Sequence, residues 1–237
     1  DRCSFLLGSE CVGESTDVLN LPAGTSEHAI VNAIRTHGSA DLWRDTATAF
    51  LSECPVAGIV LAAAIASPML QLFGWSPIAL ALSSEGGAGK STLLRLGLST
   101  FGGTGGTATR QVEGLAGNGN STLLALAGQF ACLDDLPHFA DEVKVNLGER
   151  KALGDIASAL HTLVDGQPRG AMNGKTGTLQ NRRRTHGCTV LCTETDTGEI
   201  FKQTGVKRRI IPVRGPYSDK PLGRFNEALC SNYGHSG

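Results

Sequence analysis

The residues best equipped for chemistry lie at positions 84–92, Ser84-Glu85-Gly86-Gly87-Ala88-Gly89-Lys90-Ser91-Thr92, after a short apolar run and before an amphipathic one. Glycines let consecutive backbone N–H groups turn inward around phosphate oxygens, and the start of a helix adds the positive end of its dipole. In such a loop Gly86, Gly87, Ala88, Gly89 and Thr92 would line the phosphates. Lys90 would reach the β- and γ-phosphates, and Ser91 would ligate Mg²⁺ through its hydroxyl. This is the Walker A pattern with one departure: the usual first glycine falls on Ser84, which lacks glycine's freedom at positive φ. The chemistry implied is binding of ATP with Mg²⁺, followed by hydrolysis.

Hydrolysis needs a carboxylate at the end of a neighbouring strand. The apolar run Gln129-Phe130-Ala131-Cys132-Leu133 ends in Asp134-Asp135, 44 residues after Lys90. Read as a strand, it assigns Asp134 to the metal and Asp135 to the attacking water, where many ATPases place a glutamate. A third apolar run, residues 188–192, ends in Thr193-Glu194, and Thr193 fits a sensor of the γ-phosphate at a strand tip. A fourth, residues 210–213, follows Lys207-Arg208-Arg209. Arg208 and Arg209 suit an arginine finger reaching a neighbouring subunit's nucleotide, a DNA contact or plain solvated charge.

The elements that must position these groups follow from patterning. Four strands alternating with helical stretches, the first leading into the glycine loop, predict an α/β fold. Its form is three-layer, with a mostly parallel central sheet and the glycine loop on its first strand. Residues 1–75 read as an N-terminal helical segment packed on a core at 76–237, with a helix over 42–51 capped by Asp41. Residues 55–84 carry no charged side chain. Pro68, Pro77 and an alanine-rich body favour a buried helix and strand over a membrane span.

The formal net charge of −1 conceals a division. Residues 1–168 hold 9 Lys and Arg against 17 Asp and Glu, whereas residues 169–214 hold 10 against 3. The basic block includes Arg169, Lys175, Arg182, Arg183 and Arg184. Lys175 sits in Met172-Asn173-Gly174-Lys175-Thr176-Gly177, turn chemistry for a hairpin loop. Such loops suit contact with a phosphate backbone, and equally an interface with the acidic body of a second protomer. Few aromatics (5%) argue against base stacking as the grip. Seven cysteines without a Cys-x-x-Cys speak for reduced, buried thiols in the cytoplasm rather than a zinc site. A start at Asp1 without a signal peptide reads as a fragment of a longer cytoplasmic chain.

Taken in order, these pieces resemble the domain-of-unknown-function 927 family of phage and plasmid helicase-like ATPases. The resemblance runs from about residue 45 to 237. It comprises Ala66-Ser67-Pro68-Met69-Leu70, Gly89-Lys90-Ser91-Thr92, Asp134-Asp135, Asp165-Gly166-Gln167-Pro168-Arg169, Arg182-Arg183-Arg184, Thr193-Glu194, Gly205-Val206-Lys207-Arg208-Arg209 and Tyr233-Gly234-His235. Ser84, Asp135 and Leu123 depart from the family's glycine, glutamate and acidic residue. The resemblance implies a P-loop NTPase core of RecA- or AAA-like form, ATP and Mg²⁺, a homo-oligomeric ring such as a hexamer, and work on single-stranded DNA in replication of a mobile element. It also implies a primase or primase-polymerase partner and no membrane. A P-loop small-molecule kinase and a nucleotide-dependent assembly switch with little turnover are the competing readings.

Overall fold

Leucine alternates with alanine in Ala79-Leu80-Ala81-Leu82-Ser83, so both leucines face one side of a strand and the alanines the other. The chain builds its central sheet around this run. The computed structural model describes residues 5–7, 10–12, 26–103, 116–118, 129–130, 132–141, 171–172, 179–180, 185–194 and 210–234.

An antiparallel ribbon of β1 (Phe5–Leu7) and β2 (Glu10–Val12) comes first, then helices α1 (Ser26–Ala33), α2 (Ala40–Glu53) and α3 (Ala57–Leu72). There follow β3 (Ala79–Ser83), α4 (Lys90–Leu98), β4 (Ala116–Asn118) and β5 (His138–Asp141). A small hairpin of β6 (Ala171–Met172) and β7 (Leu179–Gln180) precedes β8 (Thr189–Thr193) and β9 (Ile210–Arg214). A 3-10 turn (Leu222–Phe225) and α5 (Asn226–Ser231) close the described chain.

The central sheet has five strands in the order β4-β5-β8-β3-β9, and every pairing is parallel. Leu80 stands level with Val190 and Ile211, and Ser83 with Thr193 and Arg214. One face gathers Leu80, Leu82, Phe139, Val190, Cys192 and Val213 into the main core with residues of α3 and α4. Burying a leucine or phenylalanine of this kind stabilises by about 1.5–3 kcal/mol. Both β3 and β8 are buried at every residue. Successive residues point to opposite faces, so the sheet's centre is covered on both, as a layered α/β fold requires.

Helix α4 packs on α3, α5 and the sheet, and α2 packs on α3 and α5. From Thr92 to Leu98 every residue of α4 is buried. A Cβ on Gly97 would come within 2.6 Å of Phe139 and 3.1 Å of Val60, so glycine here lets helix, strand and α3 close up. Phe50 of α2 meets Phe225 edge-on at 4.8 Å, and the Trp43 indole N–H donates to Ser99 Oγ at 2.8 Å.

One local expectation changes. The cap of α2 is Ser39, whose hydroxyl accepts from the Leu42 N–H at 3.4 Å. Asp41 lies inside the first turn and pairs with Arg44 at 2.8 Å. The charge-free stretch forms α3 and β3, and α3 runs through Pro68. One face of α3 buries Val60, Ala63, Ala64 and Leu70, while Ile59, Ile65, Met69 and Leu72 are exposed. Among the described residues no helix is long and apolar enough to cross a membrane.

Candidate functional site

The loop at residues 84–89 leaves the C-terminal end of β3 and delivers the chain into α4 at Lys90. Gly87 (φ 80°) and Gly89 (φ 92°) take left-handed backbone that L side chains resist. Gly89 is doubly constrained, because a Cβ there would meet Leu222 at 2.8 Å. Glu85, Gly86 and Gly87 are exposed; Ala88, Gly89, Lys90 and Ser91 are half-buried; Thr92 is buried. The Lys90 ammonium donates to Ser84 O at 2.7 Å, Glu85 O at 2.9 Å and Ser84 Oγ at 3.2 Å. Beside the loop stands Glu194, whose carboxylate would lie 3.3 Å from a Cβ on Gly86.

Strand direction decides what else shares this edge. Thr193 ends β8 level with Ser83, is buried, and its carbonyl accepts from the Ser84 N–H at 3.4 Å. In β5, Ala140 stands level with Leu191, which puts Asp141 beside Cys192 at the same C-terminal end. Burial pushes the Cys192 thiol well up; the negative charge of Asp141 adds to this, and the positive charge of Lys90 opposes it. Cys192 Sγ also donates to Lys90 O at 3.8 Å. Lys90, Cys192 and Asp141 are therefore neighbours across the tip of β8.

Asp134 and Asp135 are not at this edge. The residues described around them overturn the expected strand: Gln129, Phe130, Cys132 and Leu133 are helical, and the strand begins only at His138. Phe130 and Leu133, three apart on one helical face, are both buried. Asp134 ends the turn in left-handed backbone (φ 47°), a conformation aspartate tolerates better than most residues. Its carbonyl accepts from the N–H groups of His186 and Gly187, just before β8. Both aspartates thus sit at the N-terminal edge of the sheet, roughly 15–20 Å of strand from the loop's end at about 3.3 Å per residue.

At that edge the His186 Nδ1 lies 3.0 Å from Asp134 Oδ1 and 3.6 Å from Asp135 Oδ1. With its amide oriented to donate, Gln71 reaches both Asp135 oxygens at 2.7 and 2.8 Å. Desolvation chiefly, then the like charge of Asp134, raises the Asp135 carboxyl, and His186 pulls it down. The three side chains offer ligating atoms within 4.8 Å of one another. Below them His138 is wholly buried, stacked on Phe130 at 4.8 Å and bonded to Asp134 O and Thr189 Oγ1. Burial depresses its pKa to about 3, against a smaller rise from the Asp134 carbonyl.

The remaining candidates Arg169, Lys175, Arg182, Arg183, Arg184, Arg208 and Arg209 lie outside the described residues. The hairpin expected around Lys175 has its stems described: Met172 stands opposite Leu179 in an antiparallel pair. The residue the sequence reading missed is Asp141. Its signal is a short apolar stretch, Phe139-Ala140, ending in Asp141-Glu142, obscured because it starts with a histidine.

Fold and site together define a parallel α/β domain in which a glycine loop joins a central strand to a buried helix and faces an aspartate across one intervening strand. The chain belongs to the family described as Domain of unknown function (DUF927), which it matches over residues 1–184. The match begins at residue 1 rather than near residue 45 and stops before β8 and β9. No curated protein matches the chain. Among solved structures it is similar to "SCCmec type IV Cch - active helicase", with a TM-score of 0.65 and 19% identity over 86% of this chain. This chain spans 37% of that structure's length. The likeness is one of fold.

Proposed function

We propose that this chain is the ATP-hydrolysing motor domain of a mobile-element replication helicase, with the loop at residues 84–91 as its phosphate cradle. The observation that carries the reading is that strand register puts Asp141 at the same C-terminal edge as the loop, beside Cys192, whose thiol lies against the Lys90 backbone. Ligands of open parallel sheets bind beyond the carboxyl ends of the strands. The sheet order adds support: one strand, β8, separates the loop strand from the strand that ends in Asp141.

The residues present fit a nucleoside triphosphate and Mg²⁺. Two glycines in left-handed backbone keep the loop open to an anion, and a side chain at Gly89 would strike Leu222. Gly86, Gly87, Ala88 and Gly89 would offer backbone N–H groups to phosphate oxygens, with the first turn of α4 behind them at Ser91 and Thr92. Lys90 would neutralise phosphate charge. Ser91 and Asp141 would hold Mg²⁺, which supplies charge stabilisation at the transferring phosphate. Glu142, next in sequence, has the length to accept a proton from water. Thr193, at the adjoining strand tip, would report on the terminal phosphate. The helicase likeness supports DNA as the partner, with Arg169, Lys175, Arg182, Arg183 and Arg184 as phosphate contacts and Arg208 or Arg209 acting across a subunit boundary.

The test is ATP turnover by the full chain with and without single-stranded DNA, beside Lys90→Ala. DNA-stimulated turnover that Lys90→Ala abolishes supports the reading. Undiminished turnover in Lys90→Ala removes the loop from the chemistry.

A further inference from the structure

An ammonium has three N–H donors, and those of Lys90 have three acceptors within the loop itself. Two are backbone carbonyls, Ser84 O and Glu85 O, which any residue at those positions would supply. The third is the Ser84 hydroxyl, at 3.2 Å the longest of the set. The same hydroxyl donates to Glu85 O at 3.2 Å, which leaves its oxygen able to accept from the lysine. A glycine at position 84 would leave that third place open.

Ser84 is not free to swing away. Its N–H donates to Thr193 O at 3.4 Å, and the neighbouring Ser83 O accepts from the Gly215 N–H at 2.9 Å. Its Cβ lies under Gly215, where an added methyl would come within 2.7 Å of it. The Ser84 backbone is thus held by the ends of β8 and β9, and its side chain also shares a hydrogen bond with Tyr217 just beyond β9.

We propose that Ser84 is a positioning residue for Lys90, its hydroxyl standing in for a phosphate oxygen until one arrives. Resting on the nucleotide reading above, this adds a cost to binding that a glycine-entry loop lacks. An incoming phosphate takes the ammonium from the weakest of its three acceptors, and the two carbonyls keep the lysine in place. Ser84 therefore sets the nucleotide affinity through Lys90, without touching the phosphates.

The experiment is titration of the full 237-residue chain with a fluorescent ATP analogue and Mg²⁺, with tripolyphosphate as competitor. Ser84→Ala removes the competing acceptor and should tighten both ligands about 3- to 10-fold, the range of one modest hydrogen bond. In a Lys90→Ala background the same substitution should change affinity by less than about twofold, since the cycle isolates the pair. Ser84→Cys keeps the size with a much weaker acceptor. It should move affinity in the same direction as Ser84→Ala, with an unchanged melting temperature. Affinity that stays the same or weakens in both variants overturns the proposal, as does tightening that persists without Lys90. Wild-type protein that binds neither ligand, or Lys90→Ala that binds as well as wild type, defeats the nucleotide reading instead.

Discussion

The two edges of the central sheet carry the same kinds of residue and put them to different uses. At the C-terminal edge the backbone is open: two glycines in left-handed conformation, a lysine held mainly by carbonyls, and one aspartate across a strand. At the N-terminal edge polar groups close on one another. Asp134 and Asp135 engage His186 and Gln71, and the Asp134 carbonyl takes two backbone N–H groups and a buried imidazole. A pair of adjacent acids is the more conspicuous sequence signal, yet strand polarity places it at the closed edge. On the proposed reading, the carboxylate that serves the ligand and those that hold the fold differ in which end of β5 they adjoin.

The comparison breaks most visibly at the open edge. Lys90→Ala should reduce ATP turnover about 100-fold or more, because a positioned charge at the transferring phosphate contributes on that scale. Steady-state phosphate release measures it. Gly89→Ala should follow, costing about 1–3 kcal/mol in urea unfolding and weakening nucleotide binding. The left-handed backbone and the contact with Leu222 both oppose a Cβ.

The closed edge should respond in stability and its pH dependence. His138 is neutral in the fold, with its pKa lowered to about 3 from an ordinary 6.5. The unfolded chain therefore binds a proton that the folded chain refuses. Stability should be full above pH 6.5 and fall as pH drops toward 3, by up to about 1.4 kcal/mol per pH unit. Urea unfolding across that range, compared with His138→Gln, isolates the contribution. A wild-type slope no steeper than the variant's would contradict the burial of a neutral imidazole. The smallest effect expected is that of Gln71→Ala. It removes one neutral partner of a half-buried carboxylate and should cost about 1 kcal/mol in the same measurement, with turnover unchanged.

Much of this arrangement is legible from residue patterns. The runs around 78–82, 188–192 and 210–213 become β3, β8 and β9 within a residue; β3 and β8 are buried parallel strands, which need uninterrupted apolar sequence, and β9 is the partly exposed edge. The glycine loop and the start of α4 at Lys90 follow from turn chemistry and the specific Gly-Lys-Ser/Thr sequence. Asp141 at the end of β5 is hidden in the sequence for a physical reason. A five-residue apolar run such as Gln129–Leu133 does not distinguish a helical turn from a strand. The true strand opens with His138, a polar residue that burial, stacking and two hydrogen bonds make acceptable in the core.

The central claim, that function lies at the loop edge and not at the acid pair, reduces to one measurement. Steady-state ATP turnover is compared between Asp141→Asn and the double substitution Asp134→Asn, Asp135→Asn, both below their melting temperatures. Loss of about 100-fold in Asp141→Asn, with turnover within about twofold of wild type in the double variant, is the predicted result. Turnover retained in Asp141→Asn and lost in a folded double variant would contradict it.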